Sequence, residues 1–321
     1  MATNLLKIHL HKIKPSNPSP QFHPNRHFTH LSIPPPIPQH RPKIPPLSLQ
    51  CNVTPPTTKE EAILQAKTCL STTLEKPLNN PKLAGKLKKV KQPRFRLEIP
   101  VVDDSPASIS QLALDVFKDL PVKRKGLAAR LLIIYPNTTL TETAAKAFKP
   151  RSSSFVEHMD ISSVTNGDTK ILTSADVTVF LAPEASQLAI MKTVTDSLYP
   201  RPVVIFNPKW GFEEESSFGE LEGFLGTFEV VYSFMGLEVR GLLSKRKGMV
   251  FRCVRDGVLS GEKWSVLVEE EGQLKVISRF KERPSINEVE NVLYNLMAIN
   301  SPITKSAKFL KDLVSNVTGK K

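Results

Sequence analysis

Residues 203–213 read VVIFNPKWGFE: an apolar run that stops at Asn207-Pro208 and gives way to a lysine, a tryptophan and a glycine. A short continuous apolar run bounded by turn residues is the pattern of a strand buried on both faces. Proline ends such a strand, because it has no N–H for the ladder and pushes the preceding residue toward extended backbone. The same pattern occurs twice upstream. Ala128–Tyr135 (AARLLIIY) ends at Pro136-Asn137, and Val177–Ala182 (VTVFLA) ends at Pro183-Glu184. Helical segments are predicted between them, over Thr141–Phe148 and Ala185–Leu198, with a further strand over Phe155–Ile161. Alternation of strand and helix signals parallel βαβ units with helices covering the sheet.

The flanks extend this core. Thr58 and Glu61 have capping-box spacing and open a helix through about Glu75, with Ala62, Ala66, Leu70 and Leu74 on one stripe and Pro77 as its stop. A short strand is predicted over Phe95–Ile99. Ser105-Pro106 starts a second helix with Ile109, Leu112, Ala113, Val116 and Phe117 inward, ended by Pro121 and the KRKG cluster. Toward the C-terminus, Glu229–Val239, Met249–Val254, Trp264–Glu269 and Leu274–Phe280 alternate like strands, the last two flanking a Glu-Gly-Gln turn as a hairpin. Ser285 and Glu288 form another capping box, before a helix with Ile286, Val289, Val292, Leu293 and Leu296 inward. The expected fold is therefore α/β: a mixed, largely parallel sheet with helices on both faces and antiparallel strands added toward the C-terminus.

The net charge of +13 is uneven. Residues 1–58 hold no acid, six Lys/Arg, six of the seven histidines and 13 of the 27 prolines, a composition with too little apolar surface to pack. An acid-free basic leader reads as an organelle address. It lacks the apolar core of a secretory signal. Arg26 and Arg41 are its only arginines and prolines interrupt any long helix, which favours a plastid over a mitochondrion. The expected organisation is a transit peptide over 1–50 with processing near Leu49-Gln50-Cys51, a linker over 51–58, one α/β domain over 59–300, and a C-terminal amphipathic helix with a basic tail over 301–321. Without residues 1–58 the charge falls to about +7. No run approaches the ~18 apolar residues of a membrane span.

In open parallel sheets, ligands bind in the crevice outside the carboxyl ends of the strands. If the proline-terminated strands are parallel, Asn137, Glu184, Asn207, Lys209 and Trp210 share one rim. The competing reading is that Asn207 closes a turn through its own side chain and Trp210 plugs the sheet end. No catalytic signature supports the rim. The sequence has no GxxxxGK loop, no GxGxxG after a strand and no GxSxG elbow. His158 is the one histidine beyond residue 58, which leaves most His-based triads without a base, and it reads as a strand-edge residue. Asp103 and Asp104 precede a helix start, where capping explains them. Three cysteines, Cys51, Cys69 and Cys253, form no CxxC and argue against a zinc site or a disulfide framework. No catalytic residue, metal or cofactor is assigned.

A second constellation is basic. Lys82, Lys86, Lys88, Lys89, Lys91, Arg94 and Arg96 fall within a stretch free of acids, and Leu83, Leu87 and Val90 give it helical spacing. Such an element suits an anionic lipid surface, each cation contributing on the order of 1 kcal/mol. It also suits a protein partner or a solvated loop. RNA is disfavoured, because no aromatic platform interleaves with the charges except Phe95.

The segments TKEEAILQA (58–66), LEIP (97–100), IFNPKW (205–210), WSVL (264–267) and ERPS (282–285) resemble the plant and cyanobacterial domain-of-unknown-function family 1995. The likeness covers about residues 55–300. Plant members include Low PSII Accumulation-type chloroplast proteins, and a version of the domain is fused to a chloroplast adenylate kinase. The resemblance implies an assembly factor for a photosystem, photosystem II first, stromal or peripheral on the thylakoid. Its partners would be a thylakoid membrane protein or the assembly machinery. The alternative it allows is a nucleotide- or small-molecule-binding regulatory domain of the stroma. It supplies no catalytic residues.

Overall fold

A computed structural model describes residues 54–79, 91–101, 103–149, 155–165, 169–240, 245–259 and 262–299. The expected transit peptide and the helix and tail over 301–321 lie outside them, as do Lys82, Lys86, Lys88 and Lys89.

Each proline-ended apolar run is a strand buried at every position. They are β4 (Leu131–Tyr135), β6 (Val177–Leu181) and β7 (Val203–Phe206). With β1 (Arg94–Glu98) and β5 (Val156–Asp160) they form the parallel half of a nine-stranded sheet. β8 (Glu229–Arg240) also runs parallel to β1, and from it β9 (Lys245–Cys253), β10 (Trp264–Glu270) and β11 (Gln273–Phe280) continue antiparallel. The order is β11-β10-β9-β8-β1-β7-β6-β4-β5, so β1 lies inside the sheet and β5 and β11 are its edges. The sheet is thus mixed and largely parallel, with its antiparallel strands at the C-terminal side.

Helices cover both faces. Phe117, at the end of α2 (Pro106–Phe117), packs edge-on against Phe206 with ring centroids 5.2 Å apart. On the other face Leu132, Ile134, Phe180, Val203 and Ile205 pack with Leu188, Met191 and Val194 of α6 (Leu188–Ser197) and with Phe224 and Leu225 of α7 (Glu220–Leu225). There too Val266, Val268 and Trp264 meet Val289 and Leu293 of α8 (Ile286–Ile299). Two short helices, α4 (Ile161–Thr165) and α5 (Thr169–Ser174), link β5 to β6.

Local chemistry accounts for most boundaries. Thr58 Oγ1 accepts from Glu61 N at 3.1 Å, while the Glu61 carboxylate reaches one residue past the expected cap, to the amide (2.7 Å) and hydroxyl (2.8 Å) of Thr57. Ser105 caps α2, and Asp103 braces it by accepting from Ser105 N (2.8 Å) and Ser108 Oγ (2.9 Å). The β10–β11 turn is made by Glu271 and Gly272, both left-handed at φ 54° and 74°, as a two-residue hairpin requires.

Some expected boundaries move. α1 (Lys59–Asn79) runs through Pro77 rather than stopping there. Tertiary anchors hold the last turn: Leu78 is buried, and the Asn79 amide donates to Lys123 O at 2.9 Å and accepts from Lys125 N at 2.9 Å. Lys123–Arg124 and Leu127–Ala128 form a small hairpin, β2 and β3, turned at Lys125 (φ 51°) and Gly126 (φ 86°). The strand expected from Ala128 therefore begins at Leu131. The next helix, α3 (Thr138–Phe148), starts earlier than its apolar spacing suggested, because Asn137 caps it.

Candidate functional site

The ends of β4, β6 and β7 are adjacent and point the same way, so Asn137, Glu184, Asn207, Lys209 and Trp210 do fall along one edge. What each side chain does there is specific. Asn137 Oδ1 accepts from Leu140 N at 2.9 Å as the cap of α3. Asn207 is left-handed (φ 47°), a conformation Asn tolerates better than most residues. Its amide clamps the backbone of Ile99, accepting from Ile99 N at 2.7 Å and donating to Ile99 O at 2.8 Å. Asn207 thus joins β7 to the end of β1 rather than closing its own turn. Trp210 is buried in the core over β7 and donates from Nε1 to Glu215 Oε1 at 3.0 Å. Glu184 and Lys209 are half exposed and pair with each other at 3.3 Å.

Backbone contacts tie the same edge together. Ala182 N donates to Phe206 O (2.8 Å), Asn207 N to Leu97 O (3.0 Å) and Lys209 N to Pro183 O (2.9 Å). The Gln187 side chain reaches Pro136 O at 2.7 Å. Ala182, at φ 46°, sits in a left-handed conformation that costs a residue with a Cβ roughly 1–2 kcal/mol. The edge therefore holds local strain and is laced shut. Two surface cavities lie away from it. One, of about 260 Å³, is lined by Phe117, Leu120, Ala129, Leu131, Phe155 and Val156 near the opposite ends of β4 and β5. The other, of about 170 Å³, lies between α1 and Pro121–Lys123.

A buried ionic cluster stands one strand further in. β1 reads RFRLE: Phe95 and Leu97 face one side, and Arg94, Arg96 and Glu98 face the other, where α6, α7 and α8 pack. Arg96 and Glu98 are 4% and 3% exposed. Glu98 Oε1 lies 2.9 Å from Arg283 Nη1, and Glu98 Oε2 accepts from Ser233 Oγ on β8 at 2.7 Å. Arg96 Nε is 2.7 Å from Glu98 Oε1 as an ion pair, although its N–H is not aligned for a hydrogen bond. Arg96 Nη1 also meets Glu215 Oε1, the oxygen that takes the Trp210 indole. The Arg283 guanidinium lies over Phe212 (4.3 Å) and Trp264 (5.2 Å). Burial alone would raise the Glu98 carboxyl. Arg283 and Arg96, with hydrogen bonds from Arg283 and Ser233, more than offset burial and hold it at about 2, below its ordinary 4.5. Burial likewise opposes the Arg96 charge, and Glu98 and Glu215 overcome it, so the Arg96 pKa lies above its ordinary value. A charged cluster so paired is chemically quiet: its carboxylate is a poor base near neutrality and its cations are neutralised.

Part of the expected basic patch turns inward. Arg94 bonds Gln92 (3.1 and 3.0 Å), Thr227 (3.0 Å) and Asp196 (3.0 Å) and lies over Phe224 and Phe228. Arg94 and Arg96 are thus structural cations, consumed because β1 is an interior strand; Lys91 remains exposed. His158 lies on the edge strand β5. Its Nδ1 is 2.7 Å from Tyr135 Oη, Phe148 packs edge-on against its ring, and burial lowers its pKa to about 4. Among the described residues no three His, Cys, Asp or Glu side chains converge as metal ligands, and no helix is long and apolar enough to cross a membrane.

A family model described as a domain of unknown function (DUF1995) matches residues 56–291. The chain belongs to this family. Four of the five segments that carry the resemblance meet in space: Glu98 of LEIP, Trp210 of IFNPKW, Trp264 of WSVL and Arg283 of ERPS all join the ionic cluster, while TKEEAILQA opens α1. Comparison with curated proteins gives no match. Among solved structures, the flagellar accessory protein FlaH from Methanocaldococcus jannaschii is 8% identical, with a TM-score of 0.26 over 61% of this chain and 93% of that one, a likeness too weak to inform fold or function.

The clamp escaped sequence reading for a physical reason. Charges at alternate strand positions normally mark a solvated face, and only the position of β1 inside the sheet turns that face into an interior.

Proposed function

We propose that the chain is a chloroplast auxiliary factor that assists photosystem biogenesis, photosystem II first, at the thylakoid through protein–protein contact. The observation that carries this reading is the closure of the strand-end edge. Asn137, Asn207 and Trp210 direct their polar atoms into the fold, and Glu184 and Lys209 neutralise each other at its surface. An edge occupied in this way favours a rigid docking body over a site for bond chemistry. The acid-free basic leader supports the plastid address. The resemblance of LEIP, IFNPKW, WSVL and ERPS to Low PSII Accumulation-type proteins supports the photosystem; the family description itself carries no function. Lys91, exposed where the basic segment enters β1, supports electrostatic attachment to an anionic surface.

The test is fractionation of intact chloroplasts at low and high salt, with photosystem levels measured in the presence and absence of the chain. The expected result is a thylakoid-bound pool released by high salt, and reduced photosystem II without the chain. A wholly stromal pool at low ionic strength, together with normal photosystem levels in its absence, would overturn the proposal.

A further inference from the structure

Cys69 and Cys253 are separated by 184 positions, yet their Sγ atoms lie 3.3 Å apart. Cys69 is on α1 and Cys253 is the last residue of β9; they are 0% and 4% exposed. The backbone around them is held in register. Thr72 Oγ1 donates to Arg255 O at 2.6 Å. Gly257, left-handed at φ +64°, approaches α1 so closely that a Cβ there would sit 2.6 Å from Thr72 O. The two sulfurs are therefore delivered to each other by the packing of α1 on the segment that follows β9. A disulfide needs S–S of about 2.05 Å, a closure of about 1.2 Å from the observed separation and within reach of small side-chain rotations.

We infer that Cys69 and Cys253 form a dithiol modification site, which a small peroxide converts to a disulfide that tethers α1 to β9. Burial selects the oxidant. A protein thiol oxidoreductase must bring its own sulfur to the attacked one, which needs a far wider opening than the 4% exposure of Cys253 provides. Hydrogen peroxide is close to water in size. The Cys253 sulfur attacks one peroxide oxygen, the O–O bond breaks, and the departing hydroxide takes a proton to leave as water. The resulting sulfenic acid is attacked by the Cys69 sulfur, which loses its proton as the S–S bond forms and a second water departs. Two thiols and one peroxide thus give one disulfide and two waters. Cys253 is assigned as the attacking sulfur because it is the less buried of the two, 4% exposed against 0%, and its surroundings agree. The hydrogen bond with Cys69 lowers its thiol against the opposing effect of burial, and the Arg255 charge adds to the lowering. That same hydrogen bond, with burial, pushes Cys69 up.

The test uses the full chain carrying Cys51→Ala, which removes the remaining thiol. It is treated with equimolar hydrogen peroxide and read by intact mass, by peptide mapping and by thermal unfolding. The expected result is the loss of two hydrogens, one peptide pair joining residues 69 and 253, and a Tm raised on the order of 10 °C, because the bond closes a very long loop. Dithiothreitol reverses all three, and adding Cys253→Ala or Cys69→Ala abolishes the Tm rise. Two alkylatable thiols remaining after a dose that oxidises the denatured chain would overturn the inference. So would sulfinic acid formation in place of the cross-link. The peptide map of the Cys51→Ala chain decides the matter even where a second substitution disturbs folding.

Discussion

Glu98→Gln removes one charge from the interior and leaves the shape of the side chain almost unchanged. In the native fold the Glu98 carboxylate is held between Arg96, Arg283 and Ser233. Its pKa of about 2, against 4.5 for the ordinary group, corresponds at 1.36 kcal/mol per unit to about 3 kcal/mol of stability at neutral pH. The amide also turns an N–H2 toward two guanidinium groups, and taking one partner from a buried pair typically costs ~3–5 kcal/mol. The expected loss is therefore about 3–5 kcal/mol at pH 7. Its pH dependence is the diagnostic part. A depressed carboxyl contributes fully above the unfolded pKa and loses that contribution as pH falls through the folded one. For this group the contribution is flat above pH ~5, falls by more than about half by pH ~3 and nearly vanishes below pH ~2. Urea unfolding of the parent and the variant at several pH values reads this directly. A difference under about 1 kcal/mol at pH 7, or one that stays constant down to pH 3, would refute an ionised, paired Glu98.

Other substitutions probe other parts. Asn207→Ala deletes both bonds to Ile99 and places alanine at φ 47°, so a loss of about 2–3 kcal/mol is expected in chemical denaturation; Asn207→Gly, which relieves the backbone alone, should lose less. Gly257→Ala combines left-handed strain with a 2.6 Å approach to Thr72 O, and should cost about 2 kcal/mol or more and speed hydrogen exchange in α1. His158, lowered by burial to about 4, stays neutral in the fold while the unfolded ring takes a proton. Its contribution is complete above pH ~6.5 and is lost as pH falls toward 4, and His158→Asn should flatten that part of the stability profile.

The parallel half of the sheet was legible because LLIIYP, VFLAP and VIFNP each join an unbroken apolar run to a proline, a pattern that local chemistry alone produces. The C-terminal hairpin was legible from alternation about Glu271-Gly272. Where tertiary contacts overrode local preference, reading by pattern failed. Pro77 did not end α1, because Asn79 is anchored to Lys123 and Lys125. The KRKG cluster is β2 (Lys123–Arg124) and the tight turn after it (Lys125-Gly126) rather than a plain helix stop. β4, β6 and β7 are adjacent and parallel, so the rim residues follow neighbouring strand ends, but the partners of Asn207 and Trp210 lie on other elements, and spacing holds no record of them. Glu98 with Arg283, and Cys69 with Cys253, are each separated by more than 180 positions, beyond the reach of any periodicity.

Pulse-labelling of thylakoid complexes, resolved on native gels in chloroplasts with and without the chain, bears most directly on the role in assembly. Without the chain, photosystem II subunits should be made at the normal rate and stall in early intermediates, and the parent sequence should restore their progress. Normal passage of label into complete photosystem II in its absence would contradict that role.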